Sequence, residues 1–511
     1  MGNDDGFAAR AFHEATKHSL ESLHAERHFL DWDNMPAPFK LYRGLPVEPL
    51  PASEDPSGHS VLEAIRAVEP PRRAGERPAR LAIARLLHHA LGILRYRALA
   101  DGRSHEFRAA PCTGALYHVD AYLVTAELPD LTAGVYQYSP REAALRRLRP
   151  GDWRGVLADA SGGEPSVAQA PAIAVLASTY WRNAWKYRRR AYRHVFWDGG
   201  TIIAQLLAQA GADGWPASVV LGFADRAVEQ LCALDREREG VVALVPLGSG
   251  VPAPAAMDPP PVCFEVEPSS SREISYPEIV EVHARGALED GARAAAWRSC
   301  SRPPPRVPDS LGLALDLGAE DAFPTDDLDT VIRRRGSTRI FDHRAISRST
   351  LHHILAAASA PVPADYRRAP KESLVDLYLV VNAVEGVEPG AHRWHVAERR
   401  IECLRRGERR REAGYLALGQ ALGADAAVDV YAIADLDRVL PAMGTRGYRA
   451  ATLDGAIAGG RIYLAAYAEH LGATGLTFFD DDVARFFQLD PKRFGIMFLT
   501  AVGLPARGLR A

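Results

Sequence analysis

The chain has 511 residues, 47% apolar and 24% charged, which excludes a peptide scaffold and a globally disordered chain and, at about 150 residues per domain, allows two to four domains. Its 61 Lys and Arg against 64 Asp and Glu leave a net charge of −3, too balanced to point to nucleic acid or a membrane surface as a partner. The five cysteines, Cys112, Cys232, Cys263, Cys300 and Cys403, show no Cys-x-x-Cys and no short pairing with His, which argues against a zinc site and a disulfide framework, and no metal ligand is assigned.

The opening residues MGNDDGFAAR lack a basic-then-apolar signal pattern, and no apolar run approaches the ~18–20 residues of a membrane span, so a soluble protein of the reducing cytoplasm is expected. Residues 1–60 read as a leader region. An amphipathic helix carrying LLHHALGI (86–93) follows, then an apolar strand VDAYLV (119–124), a second strand AIAVLAS (172–178), a long helix of small residues (199–212) and a last strand VVALVPLG (241–248). Residues 251–325, rich in Pro, Ser and Gly, read as a connector with one short helix around Ile279 to Ala296. The same order then returns in LHHILAAA (351–358), VDLYLVV (375–381), VDVYAIA (428–434), a small-residue helix (455–470) and IMFLTAVG (496–503).

One offset of 256 residues relates the halves. It carries AYLV (121–124) onto LYLV (377–380), Arg190-Ala191-Tyr192-Arg193 onto Arg446-Gly447-Tyr448-Arg449, Asp198-Gly199 onto Asp454-Gly455, and Phe223 with Asp225 onto Phe479 with Asp481. The chain is therefore read as an internal duplication, with domains at 61–250 and 326–511. Strands separated by helices imply an α+β layered core in each copy, and the Ala- and Gly-rich helices can pack closely enough to allow a monomeric, two-fold pseudo-dimer from one chain.

Several segments carry a resemblance. RRRGSTRIFDHRAIS (333–347) resembles the opening of FMN-dependent nitroreductases, whose Arg-x-Ser-x-Arg pattern holds the flavin phosphate. RAAPCTGALYHVDAYLV (108–124) and WKYRRRAYRHVFWDGG (185–200) are similar to the Pro-Ser-x-Gly-x-Leu-Tyr-Pro and Lys-Tyr-x-x-Arg-Gly-Tyr-Arg stretches of the SagB/ThcOx-type dehydrogenases of that superfamily, and FHEATKHS (12–19) and FLDWDNMPAPFKLYRG (29–44) match its leader. The resemblance implies two tandem nitroreductase-like folds, each flavin site shared across the interface between them.

The copies depart from the pattern in complementary ways. Copy two has Arg335, Ser337 and Arg339, whereas copy one has VEPPRRAG in the matching place. Copy one has Pro111, Cys112, Thr113, Gly114 and Tyr117, where copy two reads RRAPKES; it has Lys186-Tyr187, where copy two has Ala442 and Met443. After the last strand only copy two offers Arg507 and Arg510. One composite FMN site per chain is expected, built from a half-site of each copy. A phosphate of roughly two negative charges suits guanidinium forks and a hydroxyl at a helix start, and Arg335, Ser337 and Arg339 alternate at a helix or turn boundary. Gly472 and Gly475 in HLGATGL either let backbone approach the flavin edge or simply end a helix.

In the resembled branch, azoline rings in a peptide are oxidised to azoles, and the Lys-Tyr pair is the candidate base. A lysine serves as a base only with a lowered pKa, and crowding by Arg188, Arg189 and Arg190 would push Lys186 that way, with Tyr187 as proton donor or relay. Tyr117 and Arg190 are expected to face substrate, although Arg190 has a counterpart in both copies and a structural reading also holds. Cys112 and His118 stand where the branch has Ser and Pro. The implied function is an FMN-dependent dehydrogenase acting on a heterocycle or amino-acyl unit of a peptide or carrier-bound intermediate, working with other enzymes of a biosynthetic pathway. Two alternatives stay open: an NAD(P)H-dependent reductase of small electrophiles, and a flavin-free scaffold that docks a peptide or partner enzyme.

Overall fold

The computed structural model describes residues 3, 5–25, 29–52, 58–67, 73–98, 104–300, 303, 314–317 and 323–506. Sixteen strands occur among them: β1 (Val47–Pro49), β2 (Ile93–Ala98), β3 (Ser104–Arg108), β4 (Val119–Thr125), β5 (Gly134–Ser139), β6 (Ala144–Pro150), β7 (Ala172–Thr179), β8 (Glu239–Leu247), β9 (Ala314–Asp316), β10 (Phe341–Asp342), β11 (Val375–Val381), β12 (Gly390–His395), β13 (Arg400–Arg406), β14 (Val428–Asp435), β15 (Gly472–Gly475) and β16 (Phe494–Pro505). Copy one forms an antiparallel sheet in the order β1-β6-β5-β4-β7-β8, and copy two one in the order β10-β16-β14-β11-β12-β13-β9, with β15 paired to β16. The central four strands of the copies, β4 to β7 and β11 to β14 with β2 and β3 set apart, superimpose in sequence at the 256 offset, so the expected duplication is an architectural one. Helices cover the sheets, giving two tandem α+β domains.

The domains meet through two long helices, Ala191–Ala212 and Leu436–Ala468. A Cβ on Gly200 would lie 2.5 Å from the Cβ of Ala456, and one on Gly460 would lie 2.7 Å from that of Ala204, so glycine lets the two backbones cross in contact. Both helices start earlier than their small-residue stretches, and a backbone break stands at equivalent positions in the two copies: Arg188 (φ 52, ψ −139) just before the first helix and Gly444 (φ 64) as a kink inside the second. Glycine occupies that left-handed conformation without strain, whereas an arginine there costs on the order of 1–3 kcal/mol. The strained copy is the one in which the break follows directly on Lys186-Tyr187.

Buried ion pairs lock the helices together with the pseudo-two-fold of an isologous dimer. Asp480, at the first position of the helix Asp480–Phe486, accepts from Arg190 (3.1 Å) and Arg193 (2.6 Å) of copy one. Asp225, at the first position of Asp225–Leu231, accepts from Arg446 (2.7 Å) and Arg449 (2.9 Å) of copy two. The equivalent of Asp225 is thus Asp480, one residue short of the 256 offset, while Asp481 lies nearer the surface and pairs with Lys17. A residue is missing from copy two after the long helix, and the offset stays at 255 into the last strands, β8 and β16.

The connector holds two helices, Pro277–Arg285 and Gly291–Cys300, instead of one. The first is a structural counterpart of the N-terminal helix Phe7–Ala15: Arg449 donates to the carbonyl of His283, as Arg193 does to that of His13. The connector also supplies β9, the edge strand beside β13.

Candidate functional site

A cavity of about 570 Å³ opens where the copies meet. Copy one lines it with Pro111, Cys112, Thr113, Gly114, Tyr117, Lys186 and Tyr187, and copy two with Arg335, Ser337, Arg339 and Gly475. Gly472 does not line it: a Cβ there would collide with Thr338 Oγ1, so this glycine permits the close pairing of β15 with the segment 336–338. Arg190 is buried, paired with Asp480 and absent from the lining, so the structure holds it at the domain interface and away from a substrate. Arg507 and Arg510 lie outside the described residues, as do 68–72 of VEPPRRAG.

The loop Pro111–Tyr117 is shaped by Asp198 on the first long helix. Its carboxylate accepts from the Thr113 amide (3.0 Å) and hydroxyl (2.7 Å), the Cys112 thiol (2.9 Å) and His118 Nε2 (2.8 Å). Burial and the Asp198 charge push the Cys112 thiol well up, so it stays protonated as a donor. Cys112, His118 and Asp198 bring ligand-type atoms within 4.8 Å of one another, a cluster that the cysteine spacing did not reveal; hydrogen bonds to Asp198 account for its closeness. Gly114 has φ 67, and a Cβ on it would lie 2.8 Å from the Tyr187 hydroxyl, so glycine brings the loop against Tyr187. Asp454, the counterpart of Asp198, gathers Arg367, Tyr366, Ser373 and the Leu374 amide instead, which makes the same anchoring carboxylate purely structural in copy two.

Lys186 is half-buried at the end of the helix Tyr180–Tyr187, its Nζ 5.4 Å from the centre of the Tyr187 ring. Its pKa is lowered, chiefly by burial and then by the like charge of Arg339. The cation that acts on it therefore comes from copy two, in place of the neighbouring Arg188, Arg189 and Arg190. Burial pushes the Tyr187 phenol above its ordinary value.

Arg335 is the C-cap of the helix Leu328–Arg334, which Asp327 starts by accepting from the Asp329 and Thr330 amides. The helix boundary expected here is a helix end, so its dipole favours cations and the anion-binding capacity resides in side chains. Arg335 Nε and Nη2 donate to the carbonyls of Ala109 (2.6 Å) and Arg108 (2.9 Å), stitching the copies together, and burial lowers its pKa. Arg339 is exposed at the rim, and Ser337 Oγ lies 3.4 Å from the Tyr463 hydroxyl. Three lining groups are buried without a hydrogen-bond partner: Arg108 Nε, Trp197 Nε1 and Thr477 Oγ1. Such atoms fit a cavity built around a polar guest.

A larger cavity, about 770 Å³, lies beneath residues 261–273, but four of its cations, Lys40, Arg182, Arg236 and Arg238, face the carboxylates Glu239, Asp120, Glu229 and Glu273. In the pseudo-symmetric position of the composite site is a cavity of about 240 Å³ lined by Leu207, Gly211, Ser218 and Arg461, among others. No helix among the described residues is long and apolar enough to cross a membrane.

The profile described as the nitroreductase family matches this chain twice, over residues 75–249 and 332–504. A solved structure from Anabaena variabilis, titled as a nitroreductase, aligns over 98% of this chain and 100% of its own with a TM-score of 0.77 at 23% identity. A protein of Methanocaldococcus jannaschii named a nitroreductase is 25% identical over 142 residues, 28% of this chain and 70% of its own length. With the fold present twice and the family pattern in both halves, the chain belongs to the nitroreductase family of oxidoreductases.

Proposed function

We propose that this protein is an FMN-dependent oxidoreductase of SagB/ThcOx type that holds one FMN per chain and dehydrogenates a heterocycle or amino-acyl unit of a peptide or carrier-bound intermediate. One observation carries the reading: the half-sites that separate onto different copies in the sequence line a single cavity. Arg335, Ser337 and Arg339 would hold the cofactor from copy two, with Gly475 and the Pro111–Gly114 loop along it; the unpartnered Trp197, Thr477 and Arg108 atoms offer donors for its polar edges. Bound there, FMN supplies a two-electron hydride acceptor. Lys186 in its free-base form takes the proton that leaves the substrate carbon as the hydride departs, so the product is two electrons and two hydrogens poorer. Tyr187, protonated and against the Pro111–Gly114 loop, orients that exchange and limits access of water. The four described cysteines are unpaired thiols, in keeping with a reducing compartment.

The test is flavin absorbance per purified chain, followed by conversion of a thiazoline peptide to the thiazole. One flavin per chain is expected, and Lys186→Ala should keep it while losing about 10²–10⁴-fold in oxidation rate. Two flavins per chain, or none, would overturn the composite site; undiminished oxidation would remove Lys186 as the base.

A further inference from the structure

The cavity contains more positive charge than a cofactor phosphate uses. Arg95, Arg97, Arg108, Lys186, Arg335 and Arg339 line it, against one carboxylate, Asp198, already engaged by Thr113, Cys112 and His118. Three of those cations, Arg95, Arg97 and Arg108, belong to the hairpin of β2 and β3, which the other copy lacks among its described residues. The offset between copies is 264 at the Leu-His-His of the preceding helix (87–89 and 351–353) and 256 at the following strand, so copy one has gained eight residues there. Alternation along paired strands puts Arg95 opposite Phe107 and Arg97 opposite His105, all four lining the cavity, while Tyr96 and Glu106 form the intervening pair and Tyr96 is 65% exposed. The guanidinium groups of Arg95 and Arg97 lie 5.6 and 5.8 Å from the Phe107 ring centre, and the His105 ring packs edge-on to it at 4.7 Å. Arg95 also donates to the Arg335 carbonyl (3.2 Å), which ties the hairpin to copy two. The single acid of the hairpin's described strands, Glu106, belongs to the pair that does not line the cavity, so the adjacent arginines repel each other with no carboxylate in the lining left to offset it.

We propose that the hairpin of copy one is a substrate-recognition element, in which Arg95 and Arg97 bind an oxyanion, carboxylate or phosphate, and Phe107 packs against the group that bears it. The proposal rests on the cavity being the site of the oxidoreductase proposed above. Two guanidinium forks on adjacent positions of one strand face match the geometry of an oxyanion, and the ring supplies apolar contact for what is attached. Oppositely charged surroundings would have made this a structural ion-pair patch, as in the cavity beneath residues 261–273.

Isothermal titration calorimetry of the purified chain with benzoate, phenyl phosphate and benzamide tests it without needing turnover. At least one of the two anions should bind at least tenfold more tightly than neutral benzamide, and their ratio separates a carboxylate from a phosphate preference. Arg95→Gln with Arg97→Gln should weaken that anion at least tenfold and leave benzamide binding and flavin content unchanged, whereas Tyr96→Gln on the other face should change none of them. The single Arg97→Gln, at an exposed position, repeats the test if the double variant misfolds. Equal binding of anion and amide, unchanged anion binding in the variants, or loss of flavin with the arginines would overturn the proposal, the last by assigning them to the cofactor. A colourless wild-type chain would sink the FMN reading, while the titration would still report on the oxyanion site.

Discussion

The composite cavity and its pseudo-symmetric counterpart come from the same duplication, yet one encloses about 570 Å³ and the other about 240 Å³. At the 256 offset, Tyr463 of the larger cavity is matched by Leu207 of the smaller, and Thr474 by Ser218. Gln205, which donates to the Ala109 carbonyl beside the composite site, is matched by Arg461, whose guanidinium donates to the carbonyls of Ala360 (2.5 Å) and Pro361 (2.9 Å). Burial and the nearby Arg367 push the Arg461 pKa down to about 9. A side chain that in one copy leaves room thus fills space in the other and satisfies backbone there. Lys186 and Tyr187 are matched by Ala442 and the buried Met443, so the smaller cavity has no proton-transferring pair at that place. Residue pairs present in both copies hold the interface, and Lys186-Tyr187 and the Pro111–Gly114 loop, present in one copy, line the larger cavity.

That division can be broken by experiment. The largest effect is expected at the symmetric carboxylates. Asp225→Asn and Asp480→Asn each leave two buried arginines without their counter-ion, at a cost of about 3–5 kcal/mol in urea denaturation. The two costs should be similar, and a large effect from only one would refute the equivalence of the two ion-pair sets. A smaller loss, about 1–3 kcal/mol from overpacking, is expected for Gly200→Ala and Gly460→Ala at the helix crossing, read from the same denaturation curves. The smallest effect sharpens the asymmetric side. Because the Lys186 pKa is lowered, kcat/KM should rise with pH through an inflection below the ordinary lysine value of 10.5. Arg339→Ala removes a like charge that disfavours the ammonium, so the inflection should move upward; the share due to burial remains, and the shift is partial. An inflection that stays put would separate Arg339 from Lys186.

Much of this was legible from residue spacing. Arg190-x-Tyr-Arg193 and Arg446-x-Tyr-Arg449 marked the duplication, because a pseudo-dimer interface makes the same demand of both copies. Pro111–Gly114, Lys186-Tyr187 and Arg335–Arg339 marked the half-sites through their unequal distribution. Three things were not legible. Spacing points to Asp481 and not Asp480, because a one-residue deletion in a loop leaves no trace in periodicity, and only the helix start at Asp480 shows which carboxylate is buried. The β2–β3 hairpin carries no sequence signal because its strands are polar and arginine-rich, without the apolar alternation of a half-buried strand. The inward turn of Arg190 toward Asp480 is not legible because motif membership does not say which way a side chain points.

The amino-acid sequence by itself determined that there are two copies of one α+β unit and that their inventories of reactive and cationic residues are complementary. Tertiary structure alone decided which carboxylates close the interface, that Arg339 of one copy acts on Lys186 of the other, and that a polar hairpin turns its arginines toward the shared cavity. The physical reason is distance: local spacing encodes helix and strand periodicity, whereas charge interactions and desolvation depend on which distant segments the fold brings within a few ångströms.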